Sequence, residues 1–191
     1  MKKLILASSS PRRVELLKQI GVYFDVQPAD INETIVQGMS VRELVKQLSL
    51  EKAAYIAKRT TGDFIVIGAD TVVVKNVILG KPESEKQAYE MLKLLQGDWH
   101  EVVTGITVYD TGSLKYISDF EVTRVKMKNF SDETIASYIK TGEPFDKAGA
   151  YGIQGIGALL VERIEGCYFN VVGLPLSKLS CMLEKYGFKI L

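Results

Sequence analysis

The sequence has little of what staples a small fold or cages a metal. Its 191 residues include two cysteines, Cys167 and Cys181, and a single histidine, His100. Two cysteines are too few for a disulfide framework, and one histidine leaves no cluster for zinc. With nothing else pointing to secretion, both cysteines read as reduced thiols of a cytoplasmic protein. Long apolar runs are also missing. The stretch Leu4 to Ala7 falls short of the roughly 7–15 residues of a signal peptide, and no run approaches the roughly 18 of a membrane span. Net charge is nearly absent: 24 Lys+Arg against 23 Asp+Glu give +1. That balance argues against bulk capture of nucleic acid or of an anionic membrane, and leaves room for a local basic site. Three motifs are absent too. Without G-x-x-x-x-G-K-[ST] there is no P-loop, without G-x-S-x-G no nucleophile elbow, and His100-Glu101 does not open H-E-x-x-H. His100 itself reads as a residue on the surface of a strand.

What is present is the composition of a folded protein, 47% hydrophobic and 25% charged. A chain of this size buries about 70% of the surface that it exposes when unfolded, enough for a core without staples. One domain over residues 1–191 is expected. Lys3 to Ala7 reads as a strand, followed by a helix marked at its start by Ser10 and Pro11 and at its end by Gly21. Tyr23 to Gln27 alternates like a strand, and Pro28 to Gly38 is a polar loop carrying Asp30 and Glu33. Ser40-Val41-Arg42-Glu43 is a capping box opening a helix to about Arg59. Phe64 to Gly68 is the continuous apolar run of a central strand, interrupted at Ala69-Asp70-Thr71. Ser84-Glu85-Lys86-Gln87 reads as a second capping box, with its helix running through Leu95. Trp99 to Tyr109 and Leu114 to Met127 form a hairpin around Asp110-Thr111-Gly112-Ser113. Ser131 or Asp132 caps a helix ending near Gly142, and Gly142 to Gly157 is a loop. Ala158 to Ile164 is a strand, Pro175 opens the last helix, and Phe188 to Leu191 is a short edge strand. Strands alternating with helices around a long hairpin predict an α/β fold: a mixed central sheet flanked by helices, in two lobes around a cleft.

Several segments carry chemistry. Ser8-Ser9-Ser10-Pro11-Arg12-Arg13 joins a strand end to a helix start, where free N–H groups, hydroxyls and planar guanidinium forks suit phosphate; an ordinary cap with two solvated arginines is the competing reading. Asp70, directly after a buried strand, is expensive unless paired, hydrogen-bonded or metal-bound; a turn residue at the sheet edge is the alternative. Glu33 is an ordinary loop residue unless it meets Asp70, in which case the two make an oxygen-rich site for Mg²⁺ or Mn²⁺. Lys52 and Lys81 are each able to neutralise phosphate, although most lysines are simply solvated. Gly149-Ala150-Tyr151-Gly152-Ile153-Gln154-Gly155 lets a backbone approach a ligand closely, and the Gln154 amide offers a donor and an acceptor to a base edge. A plain mobile loop would have the same composition.

Taken together, Leu6 to Arg13, Glu33, Glu51-Lys52-Ala53, Gly68-Ala69-Asp70-Thr71, Gly80-Lys81-Pro82 and Gly149 to Gly155 resemble the Maf family of septum-formation-inhibitor-like nucleotide pyrophosphatases. The resemblance implies a fold similar to inosine triphosphate pyrophosphatases. It also implies hydrolysis of a nucleoside triphosphate to monophosphate and pyrophosphate with a divalent cation, Mg²⁺ or Mn²⁺. Asp70 aligns with the family's catalytic proton acceptor, Ser8, Ser10, Arg13, Lys52 and Lys81 with its phosphate-binding positions, and Glu33 with a metal-site carboxylate shared with Asp70. Arg12, Thr71 and Gln154 match the specificity positions of the dTTP/UTP branch. Modified pyrimidine triphosphates then become candidate substrates, and nucleotide-pool housekeeping the expected role. A nucleotide-binding regulator of cell division with little or no catalysis is the alternative that the family's name suggests. The resemblance is compatible with a homodimer.

Overall fold

A computed structural model of the chain describes residues 2–31 and 38–191. The chain divides into two compact units. The first holds Met1–Asp70, Thr104–Glu121 and Gly173–Leu191, the second Thr71–Val103 and Val122–Val172. The sheet topology is mixed, in the order β2-β1-β3-β5-β6-β7 with β4 paired on β3.

In the first unit, β1 (Lys3–Leu6) is flanked by parallel partners, β2 (Phe24–Val26) and the start of β3 (Phe64–Lys75). Parallel neighbours require crossovers, and the helices α1 (Pro11–Gln19) and α2 (Val41–Ala57) lie in the two connections. Ser40 and Glu43 close their capping box as the spacing predicts. Helix α2 lies unusually close to the sheet. A Cβ on Gly68 of β3 would sit 2.1 Å from the Ser49 carbonyl, and one on Gly105 of β5 (Trp99–Asp110) 2.0 Å from that of Val45. Both glycines are therefore needed for close approach rather than for a turn. Ile5, Ala7, Ala53, Ile56, Ala57 and Val66 fill the space that remains.

The second unit has its own core, in which Val73, Leu92, Leu95, Val125, Met127 and Ile135 are buried. β4 (Val77–Leu79) folds back on the end of β3 through Asn76, which takes the left-handed conformation at φ 60. α3 (Glu85–Leu95) begins at Ser84, whose hydroxyl accepts from Gln87 N; the Gln87 side chain accepts from Glu83 N rather than closing a reciprocal box. Ser131, not Asp132, is the residue that caps α4 (Asp132–Ile139). β6 (Lys115–Met127) runs from the first unit into the second and pairs with β7 (Val161–Glu165). A five-residue helix, α5 (Tyr168–Val172), precedes the return to the first unit, which ends in α6 (Leu176–Glu184).

Four expectations need correction. Ala69-Asp70-Thr71 does not interrupt the strand: β3 is continuous for 12 residues, because Gly68 serves the α2 contact and the Asp70 carboxylate is answered by a lysine. His100 is not on the surface but 3% exposed. Alternation along β5 places it on the same face as Val102, which is buried in the second core. The segment from Gly142 to Gly157 has the special backbone angles of a glycine-rich loop, with positive φ at Gly142, Gly149, Ala150 and Gly155, but also contains 3₁₀ turns at Glu143–Asp146, Ala148–Ala150 and Gly155–Leu160, the last of which delays the strand expected from Ala158, β7, to Val161. Phe188 to Leu191 forms no strand.

Candidate active site

In the first unit the register Leu6↔Ile67, extended by the Ala7 N to Ile67 O bond of 2.8 Å, carries β1 and β3 side by side to Ser8 and Asp70. The carboxyl-terminal ends of parallel strands are where such sheets place their ligands. Ser8 is buried, and its Oγ accepts from Ser10 N at 3.2 Å and from Arg13 Nη1 at 3.1 Å. With both acceptor positions engaged, the serine O–H is left to donate outward. Arg13 is fixed from its other side by Nε donating to Gly173 O at 2.8 Å. Ser10 stands at the N-cap of α1 but makes no side-chain cap bond, and Pro11 occupies the first turn. Arg12 is half-buried in the same turn. Two hydroxyls, two guanidinium groups and a helix start thus share one loop.

Lys52 projects from α2 onto β3, where its Nζ meets Asp70 Oδ1 at 2.5 Å. The side chains are only 12% and 10% exposed. The close α2 contact at Gly68 brings this pair together, since Ala53 N would lie 2.9 Å from a Cβ there. Small residues in Gly68 and Ala53 and charged ones in Asp70 and Lys52 are therefore two parts of one device. Glu33 lies outside the described residues.

The second unit holds Thr71, Lys81 and Gln154. Thr71 is half-buried within β3, Lys81 is exposed and Gln154 is half-buried. The Lys81 loop and the glycine-rich loop are joined: Gly149 N donates to Gly80 O at 3.0 Å. Gly149 itself has φ +70, and its would-be Cβ meets Val73 at 3.0 Å. The loop is tied down further by side chains that the sequence reading did not single out. Tyr151 is buried with its hydroxyl 2.6 Å from His100 Nε2. Burial, reinforced by Lys75, pushes the His100 imidazole down to about 4, so it is neutral at pH 7. Glu143 accepts from Ile156 N and Gly157 N, both at 3.0 Å, and from the Tyr138 hydroxyl at 2.9 Å. Burial alone would raise the Glu143 carboxyl, but these donors outweigh it and hold it below its ordinary value. The signal for Glu143 was weak: an acidic residue before Pro144 in a glycine-rich stretch looks like a solvated turn.

The donor set suits an oxygen-seeking divalent cation. A carboxylate at the end of paired parallel strands, beside hydroxyl and guanidinium groups of the kind that suit phosphate, is what Mg²⁺ takes when substrate oxygens and water complete its shell. Among the described residues, which do not include Glu33, no group of three or more His, Cys, Asp or Glu could hold a metal. None of the described helices is long and apolar enough to cross a membrane.

The model of Maf-like proteins matches residues 3–186, and the chain belongs to the Maf family. More particularly, it is 52% identical to the dTTP/UTP pyrophosphatase of Acetivibrio thermocellus, covering 100% of this chain and 98% of that one. It is 54% identical to the protein of the same name from Alkaliphilus oremlandii, covering 97% of each. Among solved structures, the nucleoside-triphosphatase / dITP/XTP pyrophosphatase of Mycobacterium abscessus aligns with a TM-score of 0.43 and 15% identity, over 65% of this chain and 74% of that one. That likeness is too slight to bear on the site.

Proposed function

We propose that this protein hydrolyses dTTP and UTP to the nucleoside monophosphate and pyrophosphate. The observation that carries the reading is the buried Lys52–Asp70 pair beside the Ser8–Arg13 loop, in a chain about half identical over its whole length to proteins named dTTP/UTP pyrophosphatase. Ser8, Ser10, Arg13, Lys52 and Lys81 bind the triphosphate. Its arrival offers Lys52 phosphate oxygens in place of Asp70, which frees the carboxylate beside the scissile bond. Asp70 then takes a proton from water as the water oxygen bonds to the α-phosphorus. The bond to the bridging oxygen breaks, and pyrophosphate leaves with charge stabilised by arginine and lysine. Asp70 and Glu33 would hold Mg²⁺ or Mn²⁺, which when bound offsets triphosphate charge and polarises the phosphoryl oxygens. Arg12, Thr71 and Gln154 select the base. Uracil and thymine present an N3–H flanked by carbonyls, which a glutamine amide complements. Clearing unwanted pyrimidine triphosphates in the cytoplasm fits this chemistry, and the family resemblance is compatible with a homodimer.

The test is a panel of dTTP, UTP, CTP, 7-methyl-GTP, ATP and GTP with Mg²⁺ or Mn²⁺, with monophosphate plus pyrophosphate separated from diphosphate plus phosphate. Preferred turnover of dTTP and UTP to monophosphate is the expected result. Release of inorganic phosphate instead, or preference for 7-methyl-GTP, overturns the reaction or the base assignment respectively.

A further inference from the structure

We infer that Glu143 is a specificity-positioning residue: its carboxylate holds the backbone just after Gln154, so that the glutamine amide is already oriented when a pyrimidine arrives. This rests on Gln154 being the group that reads the base.

Glu143 lies 11 residues before Gln154 in the chain, yet it meets the loop immediately beyond it. Its Oε2 takes the N–H of Ile156 and its Oε1 takes that of Gly157, each at 3.0 Å. These are successive amides at the start of the 3₁₀ turn whose N-cap is Gln154. A carboxylate that accepts two adjacent N–H groups from one turn fixes its direction as well as its position, because both oxygens are engaged at known points. The residue between, Gly155, has φ +65, and a Cβ there would lie 2.8 Å from Glu143 Oε2. The carboxylate therefore fills the space a side chain would occupy, and only glycine lets it do so.

The other end of the same stretch is held through Tyr138. Its hydroxyl donates to Glu143 Oε1 at 2.9 Å and accepts from Gly152 N at 3.3 Å. Gly152 and Gly157 thus bracket Gln154 from either side, and both are referred to one carboxylate, directly or through one phenol. Glu143 is in turn steadied from its own backbone, since its carbonyl accepts from Lys147 Nζ at 2.6 Å. The Glu143 carboxylate accepts from two amides of the loop and from Tyr138 at the end of α4. A group so engaged is suited to orientation rather than to proton transfer, and the saving of conformational freedom appears as discrimination between bases.

The experiment measures kcat and KM for UTP and CTP with the whole protein carrying Glu143→Gln, Gln154→Ala and both together, with Tyr138→Phe as a milder variant. Amide exchange at Ile156 and Gly157 serves as a readout that does not depend on turnover. Glu143→Gln keeps the volume but turns one acceptor into a donor facing an N–H. The expected result is a fall of about tenfold in the UTP/CTP ratio of kcat/KM, the scale of one lost hydrogen bond, with faster exchange at both amides. Tyr138→Phe should lower the ratio less. The double variant should be no less selective than Gln154→Ala alone, because positioning has no effect once the positioned group is gone. Retained selectivity in Glu143→Gln, or losses that add in the double variant, would overturn the inference. If Gln154→Ala itself leaves the ratio unchanged, the base-reading role fails and this inference fails with it. If Gln154→Ala lowers the ratio and Glu143→Gln does not, only the role of Glu143 is lost.

Discussion

Each unit ties down a carboxylate, buried at Asp70 and half-buried at Glu143, and the two are answered differently. Asp70 of the first unit meets a lysine, at the tip of a long side chain that a more negative ligand can draw away. Glu143 of the second meets the Tyr138 phenol from α4 and two backbone N–H groups, which cannot leave without unwinding the loop. A carboxylate matched by a movable charge is ready for exchange with a ligand, whereas one saturated by backbone donors is architecture. The chemical type of the residue is the same in both cases. What separates the roles is whether its partners belong to the fold or to a side chain with other options.

Breaking the exchangeable pair should have the largest effect. Asp70→Asn should lower kcat by about 10²- to 10⁴-fold, the range for a general base, measured at a temperature where the variant is still folded, since it too breaks the buried pair; a variant within threefold of the parent would remove Asp70 from the chemistry. Lys52→Met leaves the carboxylate buried without its lysine and should destabilise by about 3 kcal/mol in urea unfolding. The double variant Lys52→Met/Asp70→Asn should recover much of that, and failure to recover would mean that Lys52 acts through packing alone. Acid should sharpen the contrast from the other side. His100 has a folded value of about 4 against 6.5, so it stays neutral in the fold while the unfolded chain takes up a proton. Its stabilising effect is complete above pH 6.5 and is lost as pH falls toward 4, by about 3 kcal/mol at the limit. Amide protection factors around Tyr151, corrected for the intrinsic pH dependence of exchange, should therefore fall in that window, and His100→Phe should abolish the fall. Gly68→Ala should destabilise by about 2 kcal/mol through overpacking against α2 and reduce turnover by displacing Lys52 from Asp70. The smallest loss of stability is expected for Gly155→Ala, about 1 kcal/mol from the positive φ, read as a drop in melting temperature, with the UTP/CTP ratio falling as the added methyl displaces the Glu143 carboxylate.

Much of the first unit was legible. Strand β1, the Ser10-Pro11 helix start, the Ser40–Glu43 box and the hairpin follow from local rules of capping and periodicity, and those rules operate within a few residues. The pairing of Lys52 with Asp70 was not legible from the residues, because it depends on how closely α2 can approach β3. Gly68 permits that approach, yet in a sequence it reads as a strand breaker. Nor was the burial of His100 apparent, although alternation from Val102 contained it. The second unit was harder. Its glycine-rich segment is ordered by contacts from Glu143, Tyr138 and His100 to residues from 13 to 51 positions away, and no window of local pattern reports those.

Neither unit is one continuous piece of chain, and this has a consequence for synthesis. Everything assigned to the second unit lies before Gly173, whereas the first requires Gly173–Leu191, including the carbonyl that holds Arg13. On a ribosome, where residues emerge in order, the loop around Gln154 can settle while the serine–arginine loop still lacks its last support. A stop codon or a bulky fusion placed just before Gly173 should therefore leave a protein whose Gln154 loop is formed and whose Ser8–Arg13 loop is not.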